Sequence, residues 1–343
     1  MGELTIKDIA RAIHVSHSTV SRALNHNPIV RPETAARIHE LARKMDYRPS
    51  AVGRSLVTRR TRTIGIVVTS IADPFNADVV SEVESLANQH GYSILLANSD
   101  DEPERELSVV HSFQERRVDG ILVMASRVGT LYASLLSKTT VPIVLVNSQQ
   151  GGGRLHSVAI DNVTSARKAT AHLIELGHRR IAYIGNQARV QADPERAAGY
   201  RQALREAGLR PRRNLVAFGD GKPEGGLEAM GKLLELPEPP TAVFCYNDMS
   251  AFGALRMIQK SGLRVPHDIS IVGFDDLSLA SYMNPPLTTI RQPRREMGRR
   301  ATEILLKLFE GSRSRNAVRF EGELVVREST AASPPSRKLS PRH

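Results

Sequence analysis

The sequence predicts an α/β protein with a small all-helical unit set before it. Three observations predict this. From residue 63 onward, apolar β-branched runs such as TIGIVV and DISIVGF alternate with segments of helical period. Such alternation means parallel strands covered by helices. Residues 5–45 instead hold three short amphipathic segments at helical spacing. Charge divides the same way: residues 1–62 hold twelve Lys and Arg against five Asp and Glu, whereas the rest holds 35 against 31. A basic end on a nearly neutral body is an electrostatic footprint for nucleic acid.

Ile6, Ile9, Ala10 and Ile13 define the first helix, with Thr5 as N-cap and Asp8 three residues on, as in a capping box. His14 stands at a tight joint, and Ser16 caps a second helix. Val20, Ala23 and Leu24 face inward on it; His17, Ser18, Ser21 and Arg22 face out with hardly any carboxylate near. Small polar groups and an Arg that can fork onto guanine O6 and N7 suit a helix laid in a major groove. The competing reading is an ordinary surface helix hairpin. Pro32 and Glu33 open a third helix over residues 34–45, with Ala35, Ile38, Leu41 and Ala42 on one face.

The order TIKDIA, VSHSTVSRALN, third helix, YRPS and RSL resembles the DNA-binding headpiece and hinge of the lactose-repressor (LacI/GalR) family. The resemblance runs on through IGIVV, VDGILVM, HLIELGHRRIAYIG, RAAGYRQAL, YNDMSAFGAL, IVGFDD and LTTIRQP, to about residue 330. It implies a helix-turn-helix headpiece at residues 1–48 and a hinge helix and linker at 49–62. A two-lobed, periplasmic-binding-protein-like core follows at 63–332. Thr5, Ser16, His17, Ser18, Thr19, Ser21 and Arg22 would contact DNA, and hinge residues Arg54 and Leu56 the minor groove, Leu56 as a wedge. Residues 50–57 are too short, and Gly53 too flexible, for a stable lone helix. The linker TRRTRT offers Arg59, Arg60 and Arg62 to phosphates. Two features of the headpiece depart from the family: His14 occupies a joint that usually carries Gly, and Arg31 replaces a capping Ser or Thr, at about 1 kcal/mol.

About ten strand–helix units exceed one open sheet, so the body predicts two similar lobes. The resemblance implies three crossings between them, giving 63–161 with 292–320 and 162–291 with 321–332. Ligand would lie between the lobes, at carboxyl ends of strands. Candidates there are Phe75 as a stacking face, Asn147, Asn247 and Asp275; the resemblance adds Arg196 as an effector grip. Composition alone favours a solvent-exposed Arg196, and Asn247 could simply cap a helix. Asp161 is a weaker candidate that could belong to a crossing. The set suits a ligand with several hydroxyls, a sugar, sugar derivative or sugar acid, ahead of a purine acting as corepressor.

No enzymatic constellation is present in the sequence. The run Gly226 to Lys232 has most of a phosphate-loop spacing, but Leu233 stands where Ser or Thr must reach magnesium. His14, His17 and His26 lack partners at zinc-like spacing, so no metal or cofactor is expected. The single Cys245 rules out an internal disulfide framework and reads as a buried strand residue. With no signal peptide and no bilayer-length apolar run, the expectation is a cytoplasmic homodimer on a near-palindromic double-stranded DNA operator, without membrane contact. A sugar-binding protein without DNA function is the distant alternative. Residues 333–343 read as a disordered Pro- and Ser-rich tail.

Overall fold

A computed structural model describes residues 5–25, 27–47, 60–126, 141–148, 156–187, 192–312 and 317–334. The chain divides into two compact units, residues 1–62 and 63–343.

In the first unit, α1 (Ile6–Ala12), α2 (His17–Leu24) and α3 (Pro32–Lys44) enclose one small core. Ile9, Val20 and Ile38 are fully buried there, with Ala10, Ala23 and Ala42 between them. Asp8 accepts hydrogen bonds from the Thr5 backbone N–H at 2.8 Å and from its hydroxyl at 2.6 Å, fixing the start of α1. His14 does adopt left-handed backbone angles, at φ 55°. Arg31 gives α3 no side-chain cap. The hinge residues Arg54 and Leu56, and Arg59, lie outside the described residues.

Among the described residues, the strands of the second unit form two six-stranded sheets. Lobe 1 is built on β1 (Thr63–Val68), β2 (Ser93–Asn98), β3 (Gly120–Met124), β4 (Ile143–Val146), β5 (His156–Ile160) and β11 (Ala317–Phe320), all parallel where they pair. Helices α4 (Pro74–Gln89) and α5 (Pro103–Glu115) pack onto this sheet. Lobe 2 begins with α6 (Asn162–Glu175), β6 (Ile181–Asn186), α7 (Ala192–Glu206), β7 (Val216–Gly219) and α8 (Pro223–Leu234). It continues with β8 (Ala242–Cys245), α9 (Asp248–Lys260), β9 (Ser270–Asp275) and β10 (Thr288–Arg291). After β10 the chain returns to lobe 1 as α10 (Arg294–Phe309) and β11, then crosses again to β12 (Glu323–Val325). The last strand pairs antiparallel with β10, so the second sheet is not purely parallel.

Helix α8 runs through the phosphate-loop look-alike, and its Gly226 lets the backbone of Ser250 approach to a distance that a Cβ would block at 2.2 Å. Cys245 is a buried β8 residue, and its thiol is raised by burial. A C-terminal clasp completes lobe 2. The buried His178 bonds Thr241 Oγ1 at 2.9 Å, Ser270 Oγ at 3.1 Å and the Ala331 carbonyl at 3.1 Å. Ser329 takes the Thr288 N–H and donates to the Ile271 carbonyl. Ser333, the first residue of the expected tail, donates its N–H to the Leu176 carbonyl at 2.8 Å, and residues 335–343 lie outside the described residues.

Candidate functional site

Two polar faces carry the candidate residues. On the first unit, Ser16 Oγ accepts the Thr19 N–H at 3.1 Å and lies 2.7 Å from Ser18 Oγ and 2.8 Å from Thr19 Oγ1. These hydroxyls cap the N-terminus of α2, where amide N–H groups favour an anion. Thr5, Ser16, His17, Ser18 and Arg22 are exposed; Thr19 and Ser21 are half-buried. The face exists because Val20 and Ala23 fasten the opposite side of α2 to the core. Among the described residues, the Arg22 guanidinium makes no ion pair, while the carboxylate of Asp8 is held by Thr5 and Arg11.

On the second unit, the strands deliver polar groups at their carboxyl ends. Asp275 closes β9 with φ 136°, a backbone angle few residues with a side chain adopt, and is buried. Its Oδ1 accepts the Gln292 amide N–H at 2.6 Å. Burial pushes its carboxyl up to about 8; the Arg196 charge opposes this, and Asp248 and Asp73 reinforce it. The carboxylate expected from sequence is therefore neutral near pH 7 in this state. Asp276, beside it, is committed elsewhere: it takes Arg291 at 2.7 Å and Arg327 at 2.6 Å.

Arg196 is not the exposed Arg that composition favours. It is 2 % exposed, its guanidinium 3.7 Å from the Phe274 ring centroid and 4.6 Å from that of Tyr246. Its Nε donates to Asn162 Oδ1 at 2.9 Å and its Nη1 to the Tyr246 carbonyl at 2.5 Å. Two of its three nitrogens are thus engaged. Phe75 is 6 % exposed and belongs to the core of lobe 1 with Ile64, Ile66 and Val79. It offers no open ring face. Asn247 caps α9, accepting the Ser250 N–H at 2.9 Å and donating to the Gly221 carbonyl at 2.9 Å. Asn147 follows β4 at φ 55°, with a buried Oδ1 that has no hydrogen-bond partner. Asp161 caps α6 through Thr164 at 2.9 Å, at the crossing between lobes.

Sequence reasoning missed four groups here. Asp73 caps α4 through the Phe75 N–H at 3.0 Å, and burial and Asp101 raise its carboxyl. Asp248 is fully buried, accepts from Thr289 Oγ1 at 2.5 Å and from the Leu277 N–H at 2.8 Å, and is pushed up to about 6 by burial. Gln292 holds Asp275, and Asn162 holds Arg196. An Asp before Pro-Phe and an Asn-Asp pair after a strand were usable signals; the two amides carried none. The lobes meet here: Leu277 of lobe 2 joins the lobe 1 core, and Arg294 on α10 bonds Asp78 at 2.8 Å and the carbonyls of Asp275 and Asp276.

A three-helix headpiece with a carboxylate-poor polar helix, joined to two α/β lobes with titratable groups at their strand ends, defines a helix-turn-helix protein with a periplasmic-binding-protein-like body. Residues 5–50 match the family model for bacterial regulatory proteins of the lacI family, and residues 170–330 that for the periplasmic binding protein-like domain. The chain is 38 % identical over 331 residues to the HTH-type transcriptional repressor CytR of Escherichia coli (strain K12), covering 96 % of this chain and 97 % of that one. It is also 38 % identical over 329 residues to the repressor PurR of Aliivibrio fischeri (strain MJ11), covering 95 % and 98 %. Its fold is similar to that of the lac repressor dimer bound to operator and the anti-inducer ONPF (TM-score 0.88, 28 % identity, 96 % of this chain and 100 % of that one). It is likewise similar to the regulator CelR in its cellobiose complex (TM-score 0.73, 32 % identity, 95 % and 99 %). The chain belongs to the lacI family of bacterial regulatory proteins.

Proposed function

We propose that this chain is a transcriptional repressor that binds a near-palindromic operator as a homodimer, its affinity set by a small molecule held between the two lobes. The observation that carries the DNA half is the exposed face of α2, with Ser16, His17, Ser18 and Arg22 and no free carboxylate beside them. In this reading Thr5, Thr19 and Ser21 position the headpiece, Arg22 reads a base, and the hinge residues Arg54 and Leu56 enter the minor groove. One headpiece offers too small an interface for specific affinity, so two act together. The exposed Ile71, Leu279 and Tyr282 supply apolar surface that a second copy would cover.

The ligand half rests on Asp275, Asn147 and the remaining edge of Arg196, with Asn247 holding α9 in place. A sugar or sugar derivative is favoured, since the Asn147 and Asp275 oxygens accept and the Arg196 edge donates, and a hydroxyl can meet both. A flat base stacked on Phe75 loses its platform, because that ring is buried. Closure on ligand alters operator affinity only through unequal ligand binding to the two arrangements. The test is a mobility-shift titration of DNA upstream of the chain's own gene, with and without a ligand found by thermal shift. Absence of any salt-sensitive, sequence-selective complex would refute the proposal.

A further inference from the structure

The unused hydrogen-bonding capacity between the lobes is lopsided. Gln292 is 2 % exposed and gives its N–H to Asp275, while its Oε1 has no partner among the described residues. Asn147 Oδ1 is also buried without a partner among them. Asp275 keeps a second carboxyl oxygen beyond the one that Gln292 occupies. From lobe 1, Asp73 is close enough to raise the Asp275 carboxyl, and Asp101 close enough to raise that of Asp73. Against these acceptors stand two guanidinium groups. Arg294 is spent on Asp78 and on the carbonyls of Asp275 and Asp276. Arg196 is spent on Asn162, the Tyr246 carbonyl and two ring faces. A buried acceptor left unpaired is costly, so a ligand that supplies donors recovers that energy and one that supplies acceptors does not.

Resting on the reading of this cleft as the effector site, we propose that it selects an amine-bearing small molecule, rich in hydrogen-bond donors and without negative charge. An amino group meets Gln292 Oε1 and Asp275 as a donor, and when protonated it stabilises the ionised form of the Asp275 and Asp73 carboxyls, which burial and neighbouring carboxylates otherwise disfavour. A carboxylate or phosphate ligand brings acceptors to the Gln292 oxygen and negative charge to a place where burial already disfavours it, and has only the residual edge of Arg196. Sugar acids, which an Arg in the cleft would otherwise favour, are therefore excluded as effectors.

The experiment is calorimetric titration of the full chain with congeners that differ at one group: a hexosamine, the matching neutral hexose and the matching hexuronate, and adenosine against inosine. The expected result is that an amine-bearing member binds on the order of tenfold tighter than its hydroxyl or oxo counterpart, that the uronate does not bind, and that Asp275→Asn brings the matched pair to within about twofold. Asp73→Asn, which keeps a capping side chain on α4 in the other lobe, shows the same loss of preference and serves if Asp275→Asn does not fold. A uronate or oxo congener that binds as tightly as the amine overturns the proposal, and so does a set in which no amine binds. If either Asp variant abolishes that acidic ligand's binding, the cleft stands as the effector site and only the donor preference falls. If neither variant alters it, the placement of the site falls as well.

Discussion

Replacing Arg196 with Ala tests whether this side chain is an exposed grip or part of the wall. Truncation removes a guanidinium that is 2 % exposed and packed on the Phe274 and Tyr246 rings. It also leaves Asn162 Oδ1 and the Tyr246 carbonyl without their donor. Emptying so large a buried site resembles Phe→Ala substitutions, which cost about 3–5 kcal/mol, and each stranded acceptor adds about 1–3 kcal/mol. Relief from holding a desolvated charge offsets part of this, so the net loss is about 3–5 kcal/mol. For a body of this size each kcal/mol moves the midpoint by about 2–4 °C, so Tm falls by roughly 6–20 °C. The assay is thermal unfolding of the full chain, with Arg196→Met beside it, since Met fills the slot without bonding. Arg196→Met is expected between wild type and Ala. A Tm for Arg196→Ala within 1–2 °C of wild type would refute the packing argument. An unresponsive Arg196→Ala repressor would then report lost ligand contact alone; otherwise it reports a damaged wall.

Three further outcomes are expected. Ile38→Ala removes about 2–5 kcal/mol from a headpiece whose whole stability is about 3–9 kcal/mol, so DNA binding fails while the main thermal transition of the body, followed by calorimetry, stays in place. Arg22→Ala relaxes preference at one base position per half-site and costs about 1–3 kcal/mol, read from mobility shifts on a single-substitution operator set; unchanged selectivity would count against the α2 assignment. The third concerns pH. The folded-state pKa of Asp275 is raised to about 8, so its contribution to stability is complete below the ordinary carboxylate range and is lost as pH climbs from about 4 to about 8. Asp275→Asn lacks this titration and gains relative to wild type across that window. Parallel Tm-against-pH curves for the two proteins would show that burial, with Asp248 and Asp73 facing it, does not outweigh Arg196 and hold the carboxyl neutral.

The parts of the molecule legible in sequence are those governed by local period. Strand and helix order, the Thr5 and Ser16 caps and the buried face of α2 all follow from spacing within a few residues. What eluded the sequence depends on partners far apart along the chain. Arg196 reads as a surface residue because its rings arrive just after β8 and on β9, 50 and 78 positions later. Phe75 reads as a stacking face because nothing local shows that the first turn of α4 dips into the lobe 1 core. Gln292 looks like any polar residue after a strand until the Asp275 carboxyl appears 2.6 Å away. The antiparallel β12 and the clasp that holds Ser333 were hidden likewise, since a three-residue strand and scattered hydroxyls carry no period.

The two returns of the chain after β10 have a consequence for the order in which a ribosome can finish this protein. Lobe 1 lacks α10 and its edge strand β11 until residue 320 has been made, and lobe 2 lacks β12 and the His178 clasp until residue 333. The headpiece draws its core from residues 6–47. Vectorial synthesis therefore releases a complete headpiece core while both regulatory lobes are still open, and each lobe closes only as the last segments emerge. A message cut short before residue 320 would yield a chain that keeps its recognition helices and lacks a finished body to govern them.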